Sequence, residues 1–372
     1  MIRCALVVGG GIAGMATAIM LRRIGVAVDL IDLDPEWRVY GAGITITGPT
    51  LRAFKALGIL ERVIADAHTA DGVQVCGVEG ELLTLIPTPA PVGAEVPGSG
   101  GIMRPTLHKI LSTDVLALGT VVRLGLTVDA IAHEEHAEAV RFSDGTIGRY
   151  DVVVGADGLF SKVRSLLFPD APAPQFTGQA CWRLMTARQT GIDRRRYFLG
   201  GPVKAGLTPV SASEMYMFVL ENVPENTWVD PAVFYLKLRD LIAPFGGALA
   251  DIRAGLNADS SIVYRPLEAM LLPMPWYVGR TILIGDAAHG TTPQLASGAG
   301  MAVEDGLVLA EELKRASTVE RGFAAFMLRR YDRCRLVVEN SIQLGRYEVE
   351  GASVETQTAL VARSLDLLAE AI

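Results

Sequence analysis

Cysteine is scarce in this chain: Cys4, Cys76, Cys181 and Cys334 lie far apart, with no CxxC pair among them. That spacing argues against a disulfide framework and against a zinc site, and it fits a reducing cytoplasm. Charge is sparse as well, at 20% of residues, and the formal net charge is -7. A phosphate backbone or an anionic membrane face would on balance repel such a chain, so nucleic acid is not an expected partner. Long apolar runs are lacking with one exception, the uncharged stretch from Cys4 to Leu21, which has the length of a membrane span or a signal sequence. Gly9, Gly10, Gly11 and Gly14 interrupt it where a spanning helix would lose stability, and no small-residue cleavage site precedes Arg22 and Arg23. A buried strand, a tight turn and a helix explain the stretch better, so no membrane insertion is expected. What is present is ample: 372 residues, 50% of them hydrophobic, can bury a large core in more than one structural unit.

The first segment, CALVVGGGIAGMATAIMLRRIGVAVDLIDLD, reads as apolar strand, glycine turn, helix up to Gly25 and second strand ending near Asp32. Gly9, Gly11 and Gly14 fall as G-x-G-x-x-G. Each has a physical reason, in order the tight turn, close backbone approach to a pyrophosphate, and close packing of helix on strand. Free amides at a helix start attract phosphate. Asp32, 18 residues beyond Gly14, is placed to accept the ribose hydroxyls of an adenosine. The order of elements supports a dinucleotide site, while leaving NAD and FAD both open.

Two later segments share one logic. VVVGADGLFSKVR puts Asp157 just past a buried strand, and GRTILIGDAAHGTTPQLASGAGMAVED puts Asp286 just past another. Ligands of open parallel sheets sit at such strand ends. With GGGIAG, the ADG of Ala156 to Gly158 and the GDAAH of Gly285 to His289 in this order, the chain resembles the flavoprotein aromatic hydroxylases. These single-component FAD monooxygenases include para-hydroxybenzoate, salicylate and urate hydroxylases. The likeness extends through Pro293, Gly298, Gly300, Glu304 and Asp305 to about Glu350, and Arg104 in RPTLHKIL resembles the family arginine that opens a helix beside the flavin.

The resemblance implies an α/β fold: a Rossmann-like FAD-binding domain, an inserted and mostly antiparallel β-sheet substrate domain, and C-terminal helices. The expected boundaries are 1–70, 100–172 and 278–372 for the first, and 71–99 with 173–277 for the second. It implies FAD contacts at Gly9, Gly11, Ile12, Ala13, Gly14, Asp32, Gly43, Arg104, Val128, Asp157, Gly285 and Asp286. Gly298 and Gly300 belong to the same set, and backbone amides from Ala299 to Met301 would face the flavin pyrimidine carbonyl, where a helix start suits the negative charge of reduced flavin. Asp157 has two readings, a FAD contact or a turn former at a helix start. His289 likewise reads as a catalytic base or a loop organiser, and Pro293 as part of the pocket wall near the flavin ring.

No second G-x-G-x-x-G follows Gly14, so NADH or NADPH is expected to bind transiently. Gly41 and Gly43 fall in the loop that is mobile in the resembling family, or in a simple turn. The implied reaction is hydroxylation of an electron-rich aromatic or heteroaromatic small molecule with O2, through a peroxide formed on the flavin ring; the alternative is a non-oxygenating reductase or oxidase on the same fold. QACWRLMTA, RRRYFLGG, AGLTPVSA and EMYMFVLE read as strands of the substrate sheet. On it Arg183 and Lys204 are candidates for holding an anionic ring or carboxylate, and Tyr216 for stacking or hydrogen bonding; solvent-facing positions are the plainer reading. Trp182 is expected in the core, and the three arginines at 194–196 in a solvated turn. From Val319 onward helical spacing predicts a long helix, then a second over 351–372 that either completes the core or packs on another subunit. Monomer and homodimer both remain open.

Overall fold

The computed structural model describes residues 2–39, 41–88 and 90–372. Its first sheet has six strands in the order Tyr277–Val278, Thr281–Leu283, Val152–Gly155, Cys4–Val8, Ala27–Asp32 and Val121–Leu124. Every neighbouring pair is parallel except the two at the Tyr277 edge. The central strands are covered on both faces, which explains their continuous apolar sequence: Ala5, Leu6, Val7, Val152, Val153 and Val154 are fully buried. Helix Ile12–Arg23 follows the first strand and is crossed by helix Gly298–Arg315. The crossing requires Gly306, where a Cβ would meet the Thr17 amide nitrogen at 2.7 Å.

A second sheet of seven strands draws on residues 73–86 and 175–269 and is antiparallel apart from the pairing of Arg195–Phe198 with Val73–Cys76. Alternation assigns its two faces. Trp182, Leu184, Phe198, Met217 and Val219 pack under helices Phe234–Leu241 and Gly247–Gly255, so Trp182 is core, as expected. Cys181, Arg183, Tyr216, Phe218 and Leu220 line a cavity on the other face.

Two expectations need correction. Residues 194–196 are not a solvated turn: Arg195 and Arg196 open a strand, Arg195 is 8% exposed, and Arg196 Nε donates to Gln74 Oε1 at 2.6 Å. The strand read in RRRYFLGG takes in two of the three arginines, because partners far off in sequence, such as Gln74, meet their side chains. Gly43 is likewise no turn residue, since it begins strand Gly43–Thr47 and pairs with Met103. Its lack of a side chain admits Tyr216, whose ring carbon would lie 2.5 Å from a Cβ there. Gly41, with φ +115, is the position that needs glycine's freedom.

The long helix runs Val319–Glu350, and Val354–Ala369 folds back onto this chain, with Leu368 in the main core. Arg52 and Arg333 donate to the carbonyls of Ala369 and Leu368 and hold that end in place. No helix among the described residues is long and apolar enough to cross a membrane.

Candidate active site

A cavity of about 450 Å³ lies between the two sheets. Two helices begin at its wall, Ile12–Arg23 and Gly298–Arg315. Neither has a side-chain cap nor an acidic residue in its first turn. Their first amides therefore present uncompensated donors and the positive end of the helix dipole to whatever occupies the cavity.

The glycines of the first turn do what their spacing predicts. A Cβ on Gly9 would strike the Ala156 carbonyl oxygen at 2.3 Å, so the first turn and the ADG segment touch backbone to backbone. At Gly14 a Cβ would lie 1.9 Å from the Gly9 oxygen. Gly11 faces open space within 4 Å and lines the cavity, leaving room for a pyrophosphate against the amides. Asp32 Oδ2 accepts from the Gly10 amide at 2.7 Å and Oδ1 from the Asp34 amide at 2.8 Å. Each oxygen keeps a lone pair for a ribose hydroxyl.

Asp286 is the first residue of helix Asp286–His289 and is open to the cavity, though enclosed by protein beyond it. Burial raises its carboxyl above the ordinary range, opposed by the positive charges of His289 and Arg104. Arg104 lines the same wall and has no hydrogen-bond partner among the described residues; burial and the nearby Arg183 lower its pKa, while Asp286 raises it. An anionic, hydroxyl-bearing ligand laid between these two groups would satisfy both. The fit to FAD is good on this geometry: open space at Gly11, two uncapped helix starts, Asp32 bonded to the Gly10 amide beside the first of them, and Asp286 with Arg104 at the cavity wall.

His289 is withdrawn from the cavity lining. It is 3% exposed, and its Nε2 lies 2.6 Å from Asp305 Oδ2. Burial works against a charge on this ring, but Cys334 and Asp305 outweigh it and hold the pKa well above the ordinary histidine value. Burial would also raise Asp305, yet His289 and Arg330 draw its carboxyl down to about 2. Asp305 further accepts from the Gly285 amide at 2.8 Å and Arg330 Nε at 2.8 Å, so this geometry organises the loop. A protonated ring bound to a carboxylate has no lone pair for base catalysis. His289, Asp305 and Cys334 could offer a cation atoms within 4.8 Å of one another, but Arg330 already supplies the positive charge there.

Asp157 also turns away from the lining. Its Oδ1 accepts from Ser161 Oγ at 2.5 Å and its Oδ2 from the Val163 amide at 3.0 Å, the geometry of a turn former at the start of helix Lys162–Leu167. Val128 is fully buried in the main core and does not line the cavity, and neither do Gly9, Gly14, Asp32, Gly285, Gly300 and Met301. Ile12, Ala13, Gly43, Pro293, Gly298 and Ala299 do line it.

The candidate residues of the second sheet all reach the cavity but differ in partners. Arg183 has none among the described residues and stands on the Arg104 side. Lys204 is spoken for: its Nζ is 2.6 Å from Glu348 Oε1, so its charge is already balanced. The Tyr216 hydroxyl shares a 2.8 Å hydrogen bond with Thr45 Oγ1, and its ring lies 6.4 Å from Phe218. Tyr197, Phe218, Leu220 and Gln294 line the cavity without having been singled out in the sequence. The signal for Phe218 and Leu220 was there, two and four residues beyond Tyr216 on the same strand face. Gln294 and Glu348 carried none.

A family model described as an FAD binding domain matches residues 4–342. The aurachin C monooxygenase/isomerase of Stigmatella aurantiaca is 31% identical over 350 residues, covering 92% of this chain and 88% of its own. The 2-heptyl-3-hydroxy-4(1H)-quinolone synthase of Pseudomonas aeruginosa is 32% identical over 308 residues, covering 82% of this chain and 79% of its own. Among solved structures, HpxO of Klebsiella pneumoniae complexed with FAD and uric acid has a TM-score of 0.85 at 20% identity, covering 99% of this chain and 93% of that one. That last likeness is one of fold.

Proposed function

Because the chain belongs to the FAD-binding-domain family of FAD-dependent monooxygenases, we propose that it hydroxylates an electron-rich aromatic or heteroaromatic small molecule, with O2 and a transiently bound NADH or NADPH. One observation carries the reading: two uncapped helix starts, Asp286 and Arg104 share a single cavity with an aromatic sheet face. FAD, when bound, supplies the electron transfer and oxygen activation. The amides from Ile12 and Ala13 hold its pyrophosphate, Asp32 its adenosine ribose and Asp286 its ribityl hydroxyls. The amides at Gly298 and Ala299 stabilise negative charge on the ring. Residues 1–70, 100–172 and 278–372 form the cofactor unit under this reading, and 71–99 with 173–277 the unit that covers the substrate.

The sheet face orients the substrate ring and keeps water from it. Tyr216, locked by Thr45, and Phe218 form a stiff apolar wall, and Pro293 closes the edge next to the helix start. His289 organises the loop from Gly285 through its bond to Asp305 and touches no reacting atom. The four cysteines are free thiols, in keeping with a cytoplasmic setting.

The test is the rate at which NADH or NADPH bleaches the flavin band without oxygen, across a panel of hydroxylated aromatics and heteroaromatics. One ring class should accelerate it strongly, and its product should carry one atom of labelled O2. Label found only in hydrogen peroxide or water, for every compound that accelerates bleaching, would replace this reading by an oxidase.

A further inference from the structure

The two edges of the seven-stranded sheet are treated differently. One edge is strand Ile262–Ala269, which carries Pro266 and the charges of Arg265 and Glu268. Asn226 Nδ2 donates to Glu268 Oε1 at 3.3 Å, and the Tyr264 hydroxyl donates to the Thr227 carbonyl at 3.4 Å, so a neighbouring segment of the chain is tied to that strand. The other edge, strand Leu82–Ile86, has no proline, no charge and no such tie. It pairs with Val73–Cys76 on one side and forms no hydrogen bond on the other among the described residues. Leu82, Leu83 and Leu85 are 59, 57 and 49% exposed. Free N–H and C=O groups beside apolar side chains are the combination that draws in another strand.

The three leucines form one strip. Leu85 stands opposite Gln74 and Leu82 opposite Cys76, so both lie on the face that Gln74 and Cys76 share. The register slips between Val75 and Cys76, which leaves Leu83 as the extra residue of a bulge, two positions from Leu85 and on the same side. On that face Cys76 packs in the core that includes Leu238, Phe245 and Leu249 of the covering segment. The strip therefore continues an apolar layer past the point where this chain covers it. The strand reads Leu-Leu-Thr-Leu-Ile, which about Thr84 is the same in kind in both directions. Antiparallel pairing with an identical strand about a two-fold axis at Thr84 sets threonine against threonine. It also sets Leu83 of one copy against Leu85 of the other, Leu82 against Ile86 and Glu81 against Pro87, so no charge meets a like charge.

We propose that this edge pairs with the same edge of a second copy of the chain, joining two seven-stranded sheets through antiparallel strands Leu82–Ile86. A lipid surface would bury the leucines but offers no partner for the free N–H and C=O groups of the strand. A strand of another protein would satisfy the backbone, but the match about Thr84 is one that a second copy meets by symmetry. A five-residue edge covers less than the roughly 800 Å² per partner of a standard interface, so the dimer is reversible and grows with concentration. The contact lies close to the cavity wall: Tyr197, which lines the cavity, pairs with Val75, and Val75 pairs with Thr84. The inference stands apart from the hydroxylase reading and does not depend on it.

The test is sedimentation velocity of the FAD-loaded full chain from about 1 to 100 µM, a range suited to a small interface. The mass should rise from monomer toward dimer across it. Thr84 is exposed, so its substitution should leave the fold intact. Thr84→Lys and Thr84→Glu each set like charges directly opposite across the axis, and each should weaken self-association about tenfold or more. An equimolar mixture of the two variants should restore the dimer, because lysine then faces glutamate, a recovery that damage to the fold would not allow. A chain that stays monomeric throughout, whether or not it floats with phosphatidylcholine vesicles, would overturn the proposal. So would a dimer that both variants retain, which would place the contact elsewhere, or a mixture that fails to recover it.

Discussion

The two ends of the cavity are built from different materials. The cofactor end is mostly backbone, with amides at two helix starts, a turn in which Gly9 and Gly14 leave no room for a Cβ, and a few carboxylates and one arginine at strand and helix ends. The opposite end is mostly side chain, with aromatic rings on one sheet face and a cluster around Glu348. Backbone recognition tolerates little substitution at the glycines but says nothing of the substrate. Side-chain recognition can change one residue at a time, so one framework can serve many rings. Behind the end built from backbone lies a third feature, the buried ion network of Glu304, Asp305, Arg330 and Arg333, which ties helix Gly298–Arg315 to the long helix.

The largest expected effect comes from breaking that network. Arg330 is fully buried, with Nε 2.8 Å from Asp305 and further bonds to Glu304 and the Met301 carbonyl. Arg330→Met leaves buried carboxylates without their main partner and should cost about 3–5 kcal/mol, read from the denaturant midpoint. A cost below about 1 kcal/mol would show that His289, Arg52 and Arg333 suffice. Next comes Asp286→Ala. Loss of a charged acceptor for hydroxyl groups, worth about 1.5–3 kcal/mol, should weaken FAD binding tenfold or more, and desalting should yield colourless protein. Full flavin occupancy would remove Asp286 from the ribityl site.

The same contrast governs what could be read in the sequence. Gly9, Gly11, Gly14, Asp32 and Asp286 sit at fixed offsets within contiguous elements, because a helix start and a strand end fix where a phosphate and a sugar go. The central parallel strands, Cys4–Val8 and Val152–Gly155, announced themselves as unbroken apolar runs, whereas Val121–Leu124, with Arg123 in it, did not. Arg183, Lys204 and Tyr216 could be nominated from strand spacing, but their partners could not. Glu348 reaches Lys204 across 144 positions and Gln294 across 54, and no local pattern encodes such a meeting. Asp157 and His289 show the opposite limit. Both occupy motif positions, yet their hydrogen bonds go to a helix start and to Asp305, which only geometry can reveal.

A smaller effect separates the loop network from the cavity by pH. Asp305 has its folded pKa drawn down to about 2, from an ordinary value near 4. Its contribution to stability is present above the unfolded value and is lost as pH falls through the folded one, so thermal stability should drop between about pH 4 and 2. His289 has a raised folded pKa. Its contribution is complete below the ordinary histidine value of about 6.5 and is lost as pH rises through the folded pKa. His289→Gln should flatten the alkaline limb of a stability profile while leaving flavin reduction by NADH competent. If reduction remained normal but product formation vanished in this variant, His289 would have to be restored as a proton acceptor.

The smallest change tests whether the stiff wall matters apart from the cofactor. Tyr216 is buried, and its hydroxyl is held by Thr45 on the strand that begins at Gly43. Tyr216→Phe keeps the ring against Gly43 and Phe218 but leaves Thr45 Oγ1 without this partner, at a cost of about 0.5–1.5 kcal/mol. FAD content should not change, because no FAD-holding residue depends on that hydroxyl. The consequence should appear in coupling: a looser ring wall admits water, so hydrogen peroxide per NADH consumed should rise while the rate of flavin reduction stays near that of the parent. Unchanged coupling would mean that Gly43 and Phe218 hold the ring without the bond. A loss of FAD would mean that the two ends of the cavity are not independent, and that backbone and side-chain recognition in this protein act as one unit.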